Sequence, residues 1–155
     1  MLNNLFATTA IAAASIMANA AEVQHYQADA ARMQEVAYVD PAILAWRDTV
    51  YPGTEIANVF GDPSKPGEVY AIRLRLPANY VVQPHFHTQN EYMTVISGSL
   101  NVGIGETVDK NNTVHLPLGG AIGIPGKVPH YAWTTEEMIM QIHAVGQRDT
   151  IFCNQ

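Results

Sequence analysis

Cysteine is almost absent. Cys153 stands alone near the C-terminus, so no disulfide can close within the chain and the fold must rest on its apolar core and on whatever it binds. The alternatives for Cys153 itself are a buried or frayed thiol and an intermolecular disulfide. Charge is scarce as well: charged residues make up 14% of the chain, and 8 Lys and Arg face 14 Asp and Glu for a formal net charge of −6. The basic residues stand singly between Arg32 and Arg148, with no patch to collect phosphates, so nucleic acid is not an expected partner. A Ser-His-Asp order, an HExxH pair and a phosphate-binding glycine loop are all missing, which leaves nucleophilic hydrolysis, zincin chemistry and nucleotide use without support. There is no internal repeat, and 155 residues suit one domain with one core.

The apolar content is 48%, with 9 Pro and 11 Gly, the composition of a folded, turn-rich domain. Residues 1–20 form an Ala-rich apolar segment ending in Ala18-Asn19-Ala20, a small-x-small cleavage pattern, although no Lys or Arg precedes it. The run is shorter than the roughly 20 residues that span a bilayer and nothing after it stops transfer. The expectation is a signal peptide over 1–20, a periplasmic or secreted protein, and no membrane anchor after cleavage. An arm or short helix is expected over 21–50, around the helix formers of 28–36, followed by one domain over 51–148 and a C-terminal tail over 149–155.

Val69–Leu76 alternates with the period of a strand, Ile72, Leu74 and Leu76 on one face and Arg73 and Arg75 on the other. Further strands are expected over 56–60, 91–96, 99–104, Ala121–Ile124 and Met138–Val145, with Ser97-Gly98 as a tight link. Short strands between turn signals, without a long helix, point to an all-β sandwich or barrel.

The informative stretch is Pro84-His85-Phe86-His87 followed by Glu91. On a strand His85 and His87 share a face, and Glu91, opening the next strand with Met93 on its own side, can bring a carboxylate to the same point. His130 is available as a fourth donor. Three imidazoles and a carboxylate suit one divalent transition metal, Mn, Fe, Co, Ni or Zn, and leave positions for water or substrate on a metal that prefers six ligands. An HxH pair by itself is more often incidental.

The pattern His85-x-His87-x-x-x-Glu91 with Gly98 resembles the first cupin motif, and Gly119, Pro125 and His130 resemble the second. Asn79 takes the place of the glycine that opens the first motif, and Lys127 that of a glycine in the second; Thr134 stands where Asn is frequent. The resemblance covers about residues 55–148 and is similar to that of small exported bacterial cupins. It implies an all-β cupin-type jelly-roll barrel with a short N-terminal helix or arm, a metal held by His85, His87, Glu91 and His130, and a homodimer.

Alternation places Gln141 and His143 on one face of Met138–Val145; these two, with Arg73, Arg75 and Met93, are the candidate lining of a substrate pocket. The plainer alternatives are the solvated face of a strand for Arg73 and Arg75 and, for His143, a half-buried histidine satisfied by a backbone carbonyl. His25 and His115 are expected in the arm and in a loop, and Tyr131 and Trp133 opposite His130, outside the barrel or at an interface. The expected function is metal-dependent chemistry of the dioxygenase, isomerase or lyase type on a small polar metabolite. The alternatives are a non-catalytic protein or sensor that binds a small ligand through the metal, and a structural metal.

Overall fold

A computed structural model of the chain describes residues 37–153. The expected signal peptide, the helix formers of 28–36 and His25 lie outside the described residues. Within them, pleat alternation decides the architecture: strands with one apolar face pair into two antiparallel sheets that close over a shared core. The strands are β1 (Arg47–Asp48), β2 (Glu55–Phe60), β3 (Val69–Leu76), β4 (Val81–Phe86), β5 (Glu91–Ser97), β6 (Leu100–Ile104), β7 (Val114–Leu116), β8 (Ala121–Ile124), β9 (His130–Trp133), β10 (Met138–Val145) and β11 (Ile151–Phe152). One sheet runs β1-β2-β3-β10-β5-β8 and the other β11-β4-β9-β6-β7. This is the expected all-β jelly roll, and β3, β8 and β10 have the expected bounds.

Ile72, Leu74, Met140 and Ile142 face inward from the first sheet and meet Val82, Leu100 and Val102 of the second, all nearly without solvent exposure. At about 25 cal/mol per Å², each such side chain contributes ~1.5–3 kcal/mol on burial, which is how a chain without an internal disulfide holds together. Gly98 makes the β5–β6 link possible. Its φ is +70°, and a Cβ there would stand 2.6 Å from the Glu137 carbonyl oxygen.

Three expectations change. Residues 149–153 are not simply a tail, because β11 pairs with β4 (Ile151 opposite Phe86) and closes the end of the second sheet. His115 is on β7, where its Nδ1 lies 3.0 Å from Asn101 Oδ1. Tyr131 does turn away from His130's side, but it is buried: its ring covers Gly103, and its hydroxyl donates to the Asp109 carbonyl at 2.8 Å, so the loop after β6 closes over it.

The two positions where glycine gives way to another residue keep the left-handed backbone. Asn79 has φ +58° and Lys127 φ +66°. Thr134 braces the first turn, donating from Oγ1 to the Pro77 carbonyl (2.8 Å) and accepting from the Tyr80 N–H (3.0 Å). The second turn is braced by the Lys127 N–H, which donates to the His87 carbonyl at 2.7 Å.

Candidate metal centre

Strict alternation along β4 would turn His85 outward, because Val82 already faces the core three residues earlier. A bulge prevents this. Val82 pairs with Ala132 and His85 with His130, so β4 spends three steps where β9 spends two. The extra residue falls at Gln83-Pro84, and proline, with no N–H to offer the ladder, is at home there. The register shift swings His85 and His87 inward, opposite His130 of β9, whose own alternation with Ala132 is regular.

The three imidazoles are 3–8% exposed, and their ligating nitrogens lie within 4.8 Å of one another. Ring centroids are 4.4 Å apart for His85 and His130, 5.0 Å for His85 and His87, and 5.5 Å for His87 and His130. Each ring turns its Nδ1 to a backbone carbonyl: His85 to Gln83 (2.8 Å), His130 to Val128 (3.0 Å) and His87 to Asp149. A carbonyl only accepts, so Nδ1 carries the proton and Nε2 keeps its lone pair. Burial is the main cause holding all three rings below the ordinary histidine value, His85 down to about 3, and they are neutral at neutral pH.

Glu91, first residue of β5, completes the cluster from the opposite sheet. Its Oε2 stands 3.6 Å from Nε2 of His87 and 3.6 Å from Nε2 of His130. Burial pushes its carboxyl above the usual carboxylate range, and among the described residues no hydrogen bond reaches it. Three lone pairs and a carboxylate thus converge with no proton donor between them, an arrangement that a cation completes. Donors about 2.1 Å from a shared ion stand roughly 3.0–3.4 Å apart, somewhat closer than the 3.6 Å between Glu91 and the two nearest rings, so seating an ion asks for a small inward shift of the side chains.

Room beside the cluster is limited. A cavity of about 30 Å³ is bounded by the histidines, Glu91, Tyr51, Met93 and inward apolar residues of both sheets, enough for an ion's companion water and little more. A gap of about 10 Å³ between His87, Glu91, Gln147, Arg148 and Asp149 shares residues with an outer cleft of about 710 Å³ along Pro66, Thr88, Gln89 and Gln147.

Of the expected pocket lining, only Met93 borders the cavity. Arg73, Arg75, Gln141 and His143 do not, because Leu74, Met140 and Ile142 occupy the inward face of the same two strands and alternation sends the polar four to the other side. There Arg73 Nε donates to Gln141 Oε1 (3.1 Å), while Arg75 pairs with Glu55 (2.7 Å) and stacks over Trp46. Two residues that sequence reasoning passed over do line the cavity, Tyr51 and Arg148. Arg148 was one isolated basic residue among eight, and no local pattern marked either of them.

No protein-family model and no curated protein sequence matches the chain. Solved structures do. The polyketide cyclase RemF from Streptomyces resistomycificus aligns with a TM-score of 0.65 at 20% identity, over 77% of this chain and 87% of that one. An RmlC-like cupin from Shewanella frigidimarina aligns at 0.58 and 14% identity, over 71% and 90% of the two chains. Salicylate 1,2-dioxygenase from Pseudoaminobacter salicylatoxidans aligns at 0.57 and 16% identity, over 70% of this chain but 31% of that one. Its two antiparallel sheets, closing around three inward histidines, thus give the chain the fold of these cupin structures.

Proposed function

We propose that His85, His87, His130 and Glu91 bind one divalent transition metal and that the protein is a metal-dependent enzyme acting on a small polar metabolite, by chemistry of the dioxygenase, isomerase or lyase type. The observation that carries the reading is the buried convergence of three Nε2 lone pairs on the Glu91 carboxylate, each ring oriented by a backbone carbonyl. Such a metal would supply Lewis acidity toward an oxygen-bearing substrate. The chain's own part is to hold the ligands in one tautomer and to exclude bulk water with the apolar walls of the cavity. The cyclase and the dioxygenase with this fold are enzymes, which favours catalysis.

One observation favours a non-catalytic, ligand-binding role instead: the cavity is small, and among the described residues no carboxylate other than Glu91 and no fourth histidine lines it as an acid/base partner. Elemental mass spectrometry on protein purified without chelator or affinity metal decides first. Near-stoichiometric metal, lost in His87→Ala, is expected; metal in neither protein overturns the reading. The element found then selects the assay, oxygen uptake for iron, isomerase and lyase screens for manganese, nickel, cobalt or zinc. Stoichiometric ligand binding without product would move the protein to the binding role. Export and homodimer formation belong to the same proposal, and N-terminal sequencing of the mature protein and light scattering test them.

A further inference from the structure

Among the described residues, Arg148 alone borders the inner cavity, the gap and the outer cleft together. Its backbone is fixed, since its N–H donates to the Pro63 carbonyl (2.8 Å) and the neighbouring Asp149 accepts at Oδ1 from the Thr88 N–H (2.9 Å). Among the described residues no carboxylate pairs with its guanidinium. Its field nevertheless reaches His85, His87 and Glu91. Guanidinium stays charged at every relevant pH, and its fork matches a carboxylate. With a divalent ion in place, Glu91 cancels one of that ion's charges, Arg148 adds another and the Asp149 carboxylate at the gap offsets one, so the mouth of the site keeps a net positive charge.

A second, independent feature points into the same cavity. The Tyr51 side chain is 4% exposed and lines the cavity, its ring 5.4 Å from that of His85. Its hydroxyl is buried without a hydrogen-bond partner, Thr150 standing nearby outside hydrogen-bonding geometry. An orphaned buried hydroxyl is destabilising, and an acceptor supplied by a ligand would remove that cost.

We propose that the site takes a small carboxylate, bound at the metal and clamped by the Arg148 guanidinium with the Tyr51 hydroxyl as a further donor, the rest of a polar ligand lying in the cleft along Thr88, Gln89 and Gln147. The proposal rests on the metal reading above and narrows its substrate class to carboxylates. Inner space of about 30 Å³ limits the group that reaches the metal to the carboxylate and its immediate substituent, while the cleft of about 710 Å³ accommodates the remainder.

The test is a titration of cobalt(II)-loaded protein followed by its visible absorption spectrum, with glycolate and succinate as probes and glycolamide as the uncharged control. Both carboxylates are expected to saturate, and glycolamide to bind at least ~10-fold more weakly, the loss of one charge-assisted contact. In Arg148→Gln the carboxylate affinity should fall at least ~10-fold with cobalt content unchanged, Arg148→Lys should restore part of it, and Tyr51→Phe should weaken binding severalfold. Equal binding of glycolate and glycolamide, or unchanged carboxylate affinity in Arg148→Gln, overturns the clamp while leaving the metal site standing. Cobalt bound but no response to either carboxylate overturns the carboxylate class. Failure of the wild type to hold cobalt overturns the metal reading, and this proposal with it.

Discussion

Five histidines lie among the described residues, and they fall into two groups that differ in everything but the imidazole. His85, His87 and His130 are buried, turn Nδ1 to main-chain carbonyls and aim Nε2 at one another. His115 and His143 are exposed and meet side-chain amides instead, Asn101 in one case and Gln141 in the other. A main-chain carbonyl is an acceptor that cannot rotate, so it dictates which nitrogen keeps its lone pair; an amide side chain can flip and accommodates either tautomer. The convergence of free lone pairs therefore comes from the backbone around the ring, above all from the bulge at Gln83-Pro84, and not from the ring alone.

Removing an inward ring should have the largest effect. Replacing the partner that orients a ligand costs roughly 10–100-fold in metal affinity, so removing a ligand outright should cost at least ~100-fold. His85→Ala, His87→Ala and His130→Ala are each expected to lose the metal, whereas His115→Ala and His143→Ala keep it, as read by elemental analysis after dialysis. Metal retained in all three of the first set would sink the centre.

Acid should separate the groups next. The inward histidines titrate lower in the folded chain than in the unfolded one, so from about pH 6.5 downward the unfolded chain takes up protons first and stability falls, by ~1.4 kcal/mol per pH unit for each histidine involved. For His85 the loss continues to about pH 3. Glu91, raised by burial, acts in the opposite sense: its contribution is full below its unfolded value of 4.5 and is lost as pH rises through its folded value. Three histidines outweigh one carboxylate, so metal-free protein should melt progressively lower between pH 6.5 and 5. Metal-loaded protein should hold its melting temperature over more of that range, since each ligand must lose its ion before it can protonate. A metal-free melting temperature flat across this interval would contradict the buried, neutral state of the rings.

Much of this was legible in the sequence, for reasons that can be located. Period-two alternation marked β3 and β10 without help, because their inward residues are apolar at every second place. The histidine spacing and Glu91 marked the residues that cluster, as side chains two apart on a strand share a face. The bulge was not legible: Pro84 permits one, but only pairing with β9 reveals that an extra residue sits there. Nor could alternation decide that Arg73 and Gln141 belong to the far side of the sheet from the cavity, although it grouped them correctly. Tyr51 and Arg148 were invisible because each reaches the site from a segment with no periodic pattern, and only the closed fold brings residues so distant in sequence to one wall.

Smaller effects sharpen the contrast between the site and its surroundings. Asp149 accepts from the Thr88 N–H through its side chain while its carbonyl orients His87, so Asp149→Ala should loosen that carbonyl and lower metal affinity about 10-fold, with little change in the fold. On the far face, Glu55→Gln removes the partner of Arg75, a pair about one-third exposed on both sides. Screening limits its worth to ~1 kcal/mol or less, and metal content should not change. A thermal melt and a metal assay on the two variants give opposite patterns if the inner and outer faces are as separate as the geometry makes them.

The smallest effect falls on the turn behind His87. Lys127 holds φ +66°, where an L side chain costs ~1–2 kcal/mol, and its N–H nevertheless donates to the His87 carbonyl. Lys127→Gly removes the strain but adds freedom to the unfolded chain, worth ~0.5–1 kcal/mol in the other direction. The net should be a gain of several tenths of a kcal/mol or slightly more, seen as a small rise in melting temperature. Asn79→Gly, at φ +58°, should gain less, because asparagine already tolerates this backbone. If Lys127→Gly instead lowers stability, the lysine side chain must make a compensating interaction, and a Lys127→Asn variant would then separate the side chain's contribution from the backbone's.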